Sequence, residues 1–110
     1  MPITWITGNS GAGKSTLARK IVQYDGGILL DGEELRKVWV ELTLSKEDRW
    51  KHALRIARLA KLLDSQGHNV VIASICAYRD LREEIKTMTN CRFIKLDSGR
   101  ESSKDYPYEL

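Results

Sequence analysis

Eight residues near the start of the chain, Gly8-Asn9-Ser10-Gly11-Ala12-Gly13-Lys14-Ser15, constrain what the rest can fold into. They read G-x-x-x-x-G-K-S, the pattern of a loop that wraps phosphate. A phosphate concentrates negative charge and needs several donors at close range. A glycine-rich turn supplies them as backbone N–H groups, because Gly8 and Gly13 accept angles that a Cβ resists and successive amides then face one concavity. The helix that starts beside Lys14 adds the positive end of its dipole. Lys14 reaches the outer phosphates, and the Ser15 hydroxyl is a hard oxygen ligand suited to Mg²⁺. The flanks give the loop its required context. Residues 3–7 are β-branched and aromatic and read as a strand. Residues 15–22 read as a helix, with Leu17, Ala18 and Ile21 on one face. The competing reading is a chance glycine-rich turn, and the order strand, loop, helix argues against it.

With 110 residues the chain is expected to form one domain over 1–110, burying about two thirds of its unfolded surface around a thin core. Hydrophobic content of 42% and charged content of 30% are those of an ordinary soluble protein. A net charge of +3 is too mild to argue for nucleic acid and suits anionic small molecules. No signal peptide or membrane-length apolar run stands out, so the expected location is cytoplasmic. Cys76 and Cys91 make neither a disulfide framework nor a zinc set, and both lie in apolar stretches, which implies reduced, buried thiols.

Residues 28–30 read as a short buried strand ending in Asp31-Gly32. A helix is expected over 33–42, with Leu35, Val38, Trp39 and Leu42 inward. Ser45-Lys46-Glu47-Asp48 resembles a capping box with Asp in place of Glu. The long helix after it runs to about Gln66, with Gly67 as its C′ residue. Its inward stripe is Ala53, Ile56, Ala57, Ala60 and Leu63. Residues 69–75 do not alternate and read as a strand buried on both faces. A helix over 78–88 follows, then a strand over 91–96 whose Arg92 and Lys95 suit a sheet edge. Residues 97–110 read as a loop or loosely docked tail. The order β-α-β-α-α-β-α-β predicts an α/β fold with a parallel sheet wound right-handed. Ligands then bind beyond the carboxyl ends of the strands.

That topology gathers the chemistry around one cleft. Asp31 ends the second strand, where a carboxylate ligates Mg²⁺ or accepts the proton of an attacking hydroxyl; it is equally a favoured N-cap. Glu33 adds a second carboxylate, or simply a first-turn acid. Arg36, one turn on, clamps an anionic substrate or is a solvated helix arginine. Arg49 shares the face of Ile56 and Ala60 and sits in a first turn, where the dipole opposes a cation; both facts suggest an anionic partner, against a surface pairing with Asp48 or Glu47. His52 lies on the flank of that stripe, as a packed side chain or a substrate contact. Arg79, just past the third strand, is placed at the cleft mouth, with Arg82 at i+3; one of them contacts substrate, or either pairs with Glu83, Glu84 or Asp80.

At these residues the chain resembles the adenylylsulfate kinase (APS kinase) family, in four ordered motifs. Thr4-Trp5-Ile6-Thr7-Gly8 through Leu17-Ala18 is similar to that family's strand, loop and helix. Leu30-Asp31-Gly32-Glu33-Glu34-Leu35-Arg36 resembles its L-D-G-D-x-x-R, Leu44-Ser45-Lys46-Glu47-Asp48-Arg49 its F-S-x-x-D-R, and Ile75-Cys76-Ala77-Tyr78-Arg79 its I-S-P-Y-R. The resemblance implies a three-layer P-loop fold of the nucleoside-kinase type, with a reduced, mostly parallel four-stranded sheet. It implies ATP and Mg²⁺ as cofactors and transfer of the γ-phosphoryl to the 3′-hydroxyl of adenylyl sulfate. Lys14 and Asp31 are then the catalytic residues, and Ser15 and Asp31 hold the metal. Gly8, Asn9, Ser10, Gly11, Ala12, Gly13, Lys14, Ser15 and Thr16 hold the nucleotide. Glu33, Arg36, Arg49, His52, Ile75 and Arg79 form the acceptor site.

The departures are specific. Glu33 replaces Asp, His52 replaces a substrate-binding Asn, and Cys76-Ala77 replace Ser-Pro. The family's long basic lid is missing, since Leu96 runs almost directly into Lys104-Asp105-Tyr106-Pro107-Tyr108-Glu109. The fifth strand and last helix that usually follow are also absent. Two further readings stay open: a kinase for another hydroxyl, such as a nucleoside or polynucleotide, and a lid-less nucleotide-binding module without turnover. An exposed sheet edge and a thin core leave room for a homodimer.

Overall fold

Trp5 and Ile6 are neighbours in sequence, and both are fully buried on opposite faces of one sheet. In the computed structural model, which describes residues 3–9, 11, 13–97 and 108–110, they belong to β1, Thr4–Gly8. The chain continues through α1 (Lys14–Asp25), β2 (Ile28–Asp31), α2 (Gly32–Arg36), α3 (Lys46–Ser65), β3 (Val70–Ala73), α4 (Arg79–Thr89) and β4 (Arg92–Leu96). The strands lie in the order β2-β3-β1-β4, and every pairing is parallel. This is the expected α/β fold. Parallel strands need crossover helices, which cover both faces and make the central strands apolar throughout. All four residues of β3 are buried accordingly.

The two faces carry separate cores. On one, Ile3, Trp5, Leu30, Val70 and Ile72 meet Ala53, Ile56, Ala57 and Ala60 of α3, and Leu81 and Ile85 of α4. The alanines let α3 lie close to the sheet. On the other, Ile6, Val71 and Ala73 meet Ala18, with Leu17, Ile21 and Val22 of α1 packed around them. Among the described residues β4 pairs with β1 alone, and its Arg92 and Lys95 are exposed, as the edge reading requires. Cys76 and Cys91 are free and buried; burial pushes the Cys76 thiol up to about 12 and raises that of Cys91.

Helix ends follow local chemistry. Ser45 caps α3 by accepting from the Asp48 N–H at 3.1 Å. Asp48 does not reach back to complete a capping box. Its Oδ2 accepts instead from the N–H and hydroxyl of Thr43, each at 2.7 Å. At the other end Gly67, at φ +88°, closes α3 with paired bonds from Gly67 N–H to Asp64 and from His68 N–H to Leu63.

Two expected elements are shorter than their patterns predict. The helix over 33–42 ends at Arg36, and the chain continues in tight turns, with Val38 N–H reaching back only to Leu35. Leu35 and Trp39 pack on the core as the pattern requires, whereas Val38 is 70% exposed. Two β-branched valines gain little from a helix here, and the Trp39 indole is drawn to a partner on α3. The strand over 69–75 stops at Ala73, because Ser74 to Tyr78 turn out of the sheet toward α4. The Ser74 N–H still reaches Ile6 O at 3.1 Å, and Cys76 N–H donates to Thr7 Oγ1 at 3.0 Å. Of the expected tail, 98–107 lie outside the described residues. The last three residues dock on the fold: Glu109 N–H donates to Ala77 O at 2.8 Å, and the Tyr108 hydroxyl meets Thr7 Oγ1 at 3.3 Å.

Gly32 is the tightest joint. A Cβ there would overlap the Ser74 hydroxyl and lie 2.8 Å from Ser74 Cβ, so a rotamer change alone cannot relieve it. Gly32→Ala is therefore expected to cost about 1–3 kcal/mol in urea unfolding. Adding Ser74→Gly should recover at least about 0.5 kcal/mol of it; strictly additive losses would refute the clash.

Candidate active site

A cleft of about 350 Å³ opens at the carboxyl ends of β1, β2 and β3, as a parallel sheet of this order requires. Its floor is the start of α1. Gly13 is the N-cap of that helix, held at φ 86° in the left-handed region that favours glycine, and its place brings no side-chain cap. The first amides of α1 are thereby left for an outside acceptor. Gly11, at φ +80°, Lys14, Ser15 and Thr16 line the same floor. The Lys14 ammonium donates to Asn9 O at 2.8 Å, folded against the loop it is expected to serve. Its pKa is lowered by burial, an effect that the charges of Glu33 and Asp31 oppose. Gly8 does not line the cleft: its role is packing, since a Cβ there would overlap Leu96 O on β4. Ser10 and Ala12 lie outside the described residues.

Asp31 is the N-cap of α2, and it also lines the floor of the cleft. Oδ1 caps α2, accepting from Glu33 N–H at 2.9 Å and Glu34 N–H at 3.5 Å. Oδ2 accepts the Ser15 hydroxyl at 2.6 Å. Ser15 and Asp31 thus set two hard oxygen donors side by side beneath the loop, a donor set that fits Mg²⁺. Among the described residues no group of three or more His, Cys, Asp or Glu side chains is placed to hold a metal. Such a site suits an ion that keeps most of its shell as water and phosphate oxygen, as Mg²⁺ does.

The opposite wall is basic. Glu33, Arg36, Arg49 and His52 all line the cleft. Arg49 Nε donates to Leu44 O at 2.7 Å, which holds the start of α3 against the preceding loop. Arg36 is half-buried; burial lowers its pKa first, and the neighbouring Arg49 charge lowers it further. Two guanidinium groups therefore share one wall. His52 is buried, and both ring nitrogens are engaged. Nδ1 accepts from the Trp39 indole at 2.6 Å, and Nε2 lies 3.0 Å from Gly32 O. An indole N–H only donates, so the proton sits on Nε2 and goes to the carbonyl.

Ile75 lines the mouth of the cleft and is partly exposed. Arg79 does not reach the cleft: it is exposed at the first turn of α4, and its N–H donates to Glu109 Oε1 at 2.9 Å. Arg82 is also turned away, with its guanidinium on Cys76 O and Glu109 O and over the Tyr108 ring. Sequence reasoning missed Ser74, which lines the cleft beside Gly32, and the role of the Trp39 indole. Neither residue type signals such a role.

A parallel three-layer sheet, with a phosphate loop after its first strand and a carboxylate at the end of its second, defines the P-loop kinase fold. Within that class the chain belongs to the adenylylsulphate kinase family, whose profile matches residues 2–98. It is 38% identical over 92 residues to the adenylyl-sulfate kinase of Myxococcus xanthus (strain DK1622), covering 78% of this chain and 49% of that protein. It is 32% identical over 84 residues to the cytidine diphosphoramidate kinase of Campylobacter jejuni, covering 72% and 49%. Among solved structures, the Mycobacterium tuberculosis APS kinase CysC in complex with AMPPNP and APS superposes with a TM-score of 0.71 at 28% identity, over 86% of this chain and 60% of that one. The chain thus spans about half the length of the curated relatives it matches. Among the described residues no helix is long and apolar enough to cross a membrane.

The buried imidazole sets a pH dependence. Its pKa falls from 6.5 to about 4, chiefly through burial, then through Arg36 on α2; the Gly32 bond opposes this, and Arg55 on α3 adds a little. A base whose pKa is depressed on folding takes up a proton more readily when unfolded. Its contribution is complete above pH 6.5 and is lost as pH falls from there through about 4. The total is at most about 3 kcal/mol. Unfolding free energies of the wild type and His52→Leu, measured from pH 7.5 to 4, should differ by an amount that shrinks across this window. A constant difference would refute the buried neutral imidazole.

Proposed function

We propose that this chain binds Mg·ATP on its loop and transfers the γ-phosphoryl to a hydroxyl of an anionic nucleotide, with adenylyl sulfate as the acceptor. The observation that carries this reading is the pair of half-buried guanidiniums, Arg36 and Arg49, across the cleft from Lys14, Ser15 and Asp31. Two like charges brought together in partial burial repel each other, and a bound anion relieves that repulsion. A phosphate loop on one wall and an anion clamp on the other are what phosphoryl transfer to an anionic acceptor requires.

In this reading the loop amides and Lys14 hold the phosphates, and Ser15 and Asp31 hold Mg²⁺, which neutralises charge on the transferred group. Asp31 and Glu33 are the cleft carboxylates available to orient the acceptor hydroxyl or take its proton. Arg36 and Arg49 fix the acceptor's anionic group, and Leu44 and Ile75 supply apolar wall.

A second reading, another anionic nucleotide as acceptor, is favoured by one observation. Both nitrogens of His52 are taken by the protein, so this position offers the acceptor no hydrogen bond. The Campylobacter jejuni relative, named for cytidine diphosphoramidate, makes that compound the first alternative to try.

The test is ADP release from Mg·ATP with and without adenylyl sulfate. Release that depends on adenylyl sulfate and falls at least about a hundredfold in Lys14→Ala supports the proposal. Release that responds only to cytidine diphosphoramidate selects the second reading. Binding without release under either acceptor reduces the chain to a nucleotide-holding module.

A further inference from the structure

His52 is a buried side chain of the cleft wall, and both of its ring nitrogens face the protein. The Trp39 indole N–H holds Nδ1 at 2.6 Å, which leaves the ring proton on Nε2, 3.0 Å from Gly32 O. Trp39 and His52 also meet edge to face, with ring centroids 5.5 Å apart. The imidazole is therefore fixed in position, tautomer and charge. What it holds is the carbonyl of the residue directly after Asp31. Gly32 is already pressed on Ser74 of β3, where no Cβ fits. Its other restraint is the Asp31 cap, through Glu33 and Glu34 N–H.

We propose that His52 is a positioning residue: its Nε2–H bond to Gly32 O clamps the Asp31–Glu33 turn against β3 and so fixes the Asp31 carboxylate beside Ser15 for the metal. This rests on the reading of Ser15 and Asp31 as the Mg²⁺ site. The Trp39 indole acts one step further out, by choosing the tautomer that donates. Outer groups that orient a metal ligand in this way typically change metal affinity by about 10–100-fold when removed.

The two nitrogens can be separated by isosteric change. In His52→Asn the amide oxygen takes the place of Nδ1 and keeps an acceptor for Trp39, while the donor to Gly32 is lost. In His52→Gln the amide NH₂ takes the place of Nε2 and keeps that donor. Binding of a non-hydrolysable ATP analogue is measured by calorimetry with and without Mg²⁺, with no acceptor present, and unfolding of each variant is recorded alongside.

The gain in affinity from Mg²⁺ should fall about tenfold in His52→Asn and return most of the way in His52→Gln. Mg²⁺-free affinity should not change, since the hydrogen bonds of His52 go to Trp39 and Gly32. Trp39→Phe, which keeps an aromatic ring, should move the gain in the same direction by less, and it serves if His52→Asn does not fold. A merely structural role would lower affinity with and without Mg²⁺ alike, and that result overturns the proposal. So does a His52→Asn chain with the wild-type gain, while leaving the phosphotransfer reading intact. A wild-type chain that binds the analogue without any gain from Mg²⁺ overturns the metal role of Asp31 and this inference together. One that binds no analogue at all overturns the phosphotransfer reading itself, and this inference with it.

Discussion

The Asp31 carboxylate takes the Ser15 hydroxyl on one oxygen and caps α2 with the other, and the geometry of the cleft hangs on that sharing. A carboxylate has lone pairs enough for both duties. One bond fixes the end of β2 to the start of α1, across the floor of the cleft. The other sets the direction of α2, which carries Glu33 and Arg36 along the opposite wall. A cation entering between Ser15 and Asp31 meets oxygens already 2.6 Å apart and needs little rearrangement. Groups fixed in advance of the charge they stabilise are worth more than groups that must be gathered to it.

Strand order explains how residues so far apart in sequence meet. β1 and β3 are neighbours, with β2 outside β3 and β4 outside β1. The chain leaves β1 through the loop and α1 toward β2, then returns through α3 to fill the place between. Each strand points the same way, so the loop, Asp31 and Ser74 all emerge at one edge. The Trp5 indole strengthens that edge, donating to Ser74 O at 3.1 Å just where β3 leaves the sheet. Trp5 is fully buried and Ser74 nearly so, which makes this bond a polar tie inside the fold.

The elements were legible where a local pattern and a tertiary demand agreed. The loop, the alternation of strands and helices, the Ser45 cap and the Gly67 stop are each written in a few adjacent residues, and each stands where expected. Residues 37–42 were misread because Leu35, Val38, Trp39 and Leu42 keep helical spacing while the chain turns to bring one indole to one imidazole. That contact spans thirteen residues and is written in no local pattern. The cleft was legible in part for the same reason. Asp31, Arg36 and Arg49 follow from topology and helix phase. The inward turn of His52 depends on a neighbour that only the fold supplies, the carbonyl of Gly32.

The charge of the basic wall follows from the same contacts. Arg36, Arg49 and His52 stand close together, and only the two arginines are charged. A protonated imidazole would add a third cation beside Arg36, in burial. It would also set an N–H on Nδ1 against the Trp39 N–H, with 2.6 Å between the two nitrogens. Both penalties act in the same direction, so the tautomer, the neutral charge and the placement of Trp39 form one constraint rather than three. The consequence reaches any anion bound in the cleft. With the imidazole neutral and spoken for, the positive charge of this wall is concentrated in two guanidiniums, whose planar forks suit the oxygens of a sulfate or phosphate group. Binding of such a group is therefore expected to depend on Arg36 and Arg49 and to be insensitive to the titration of His52 at any pH where the fold is intact.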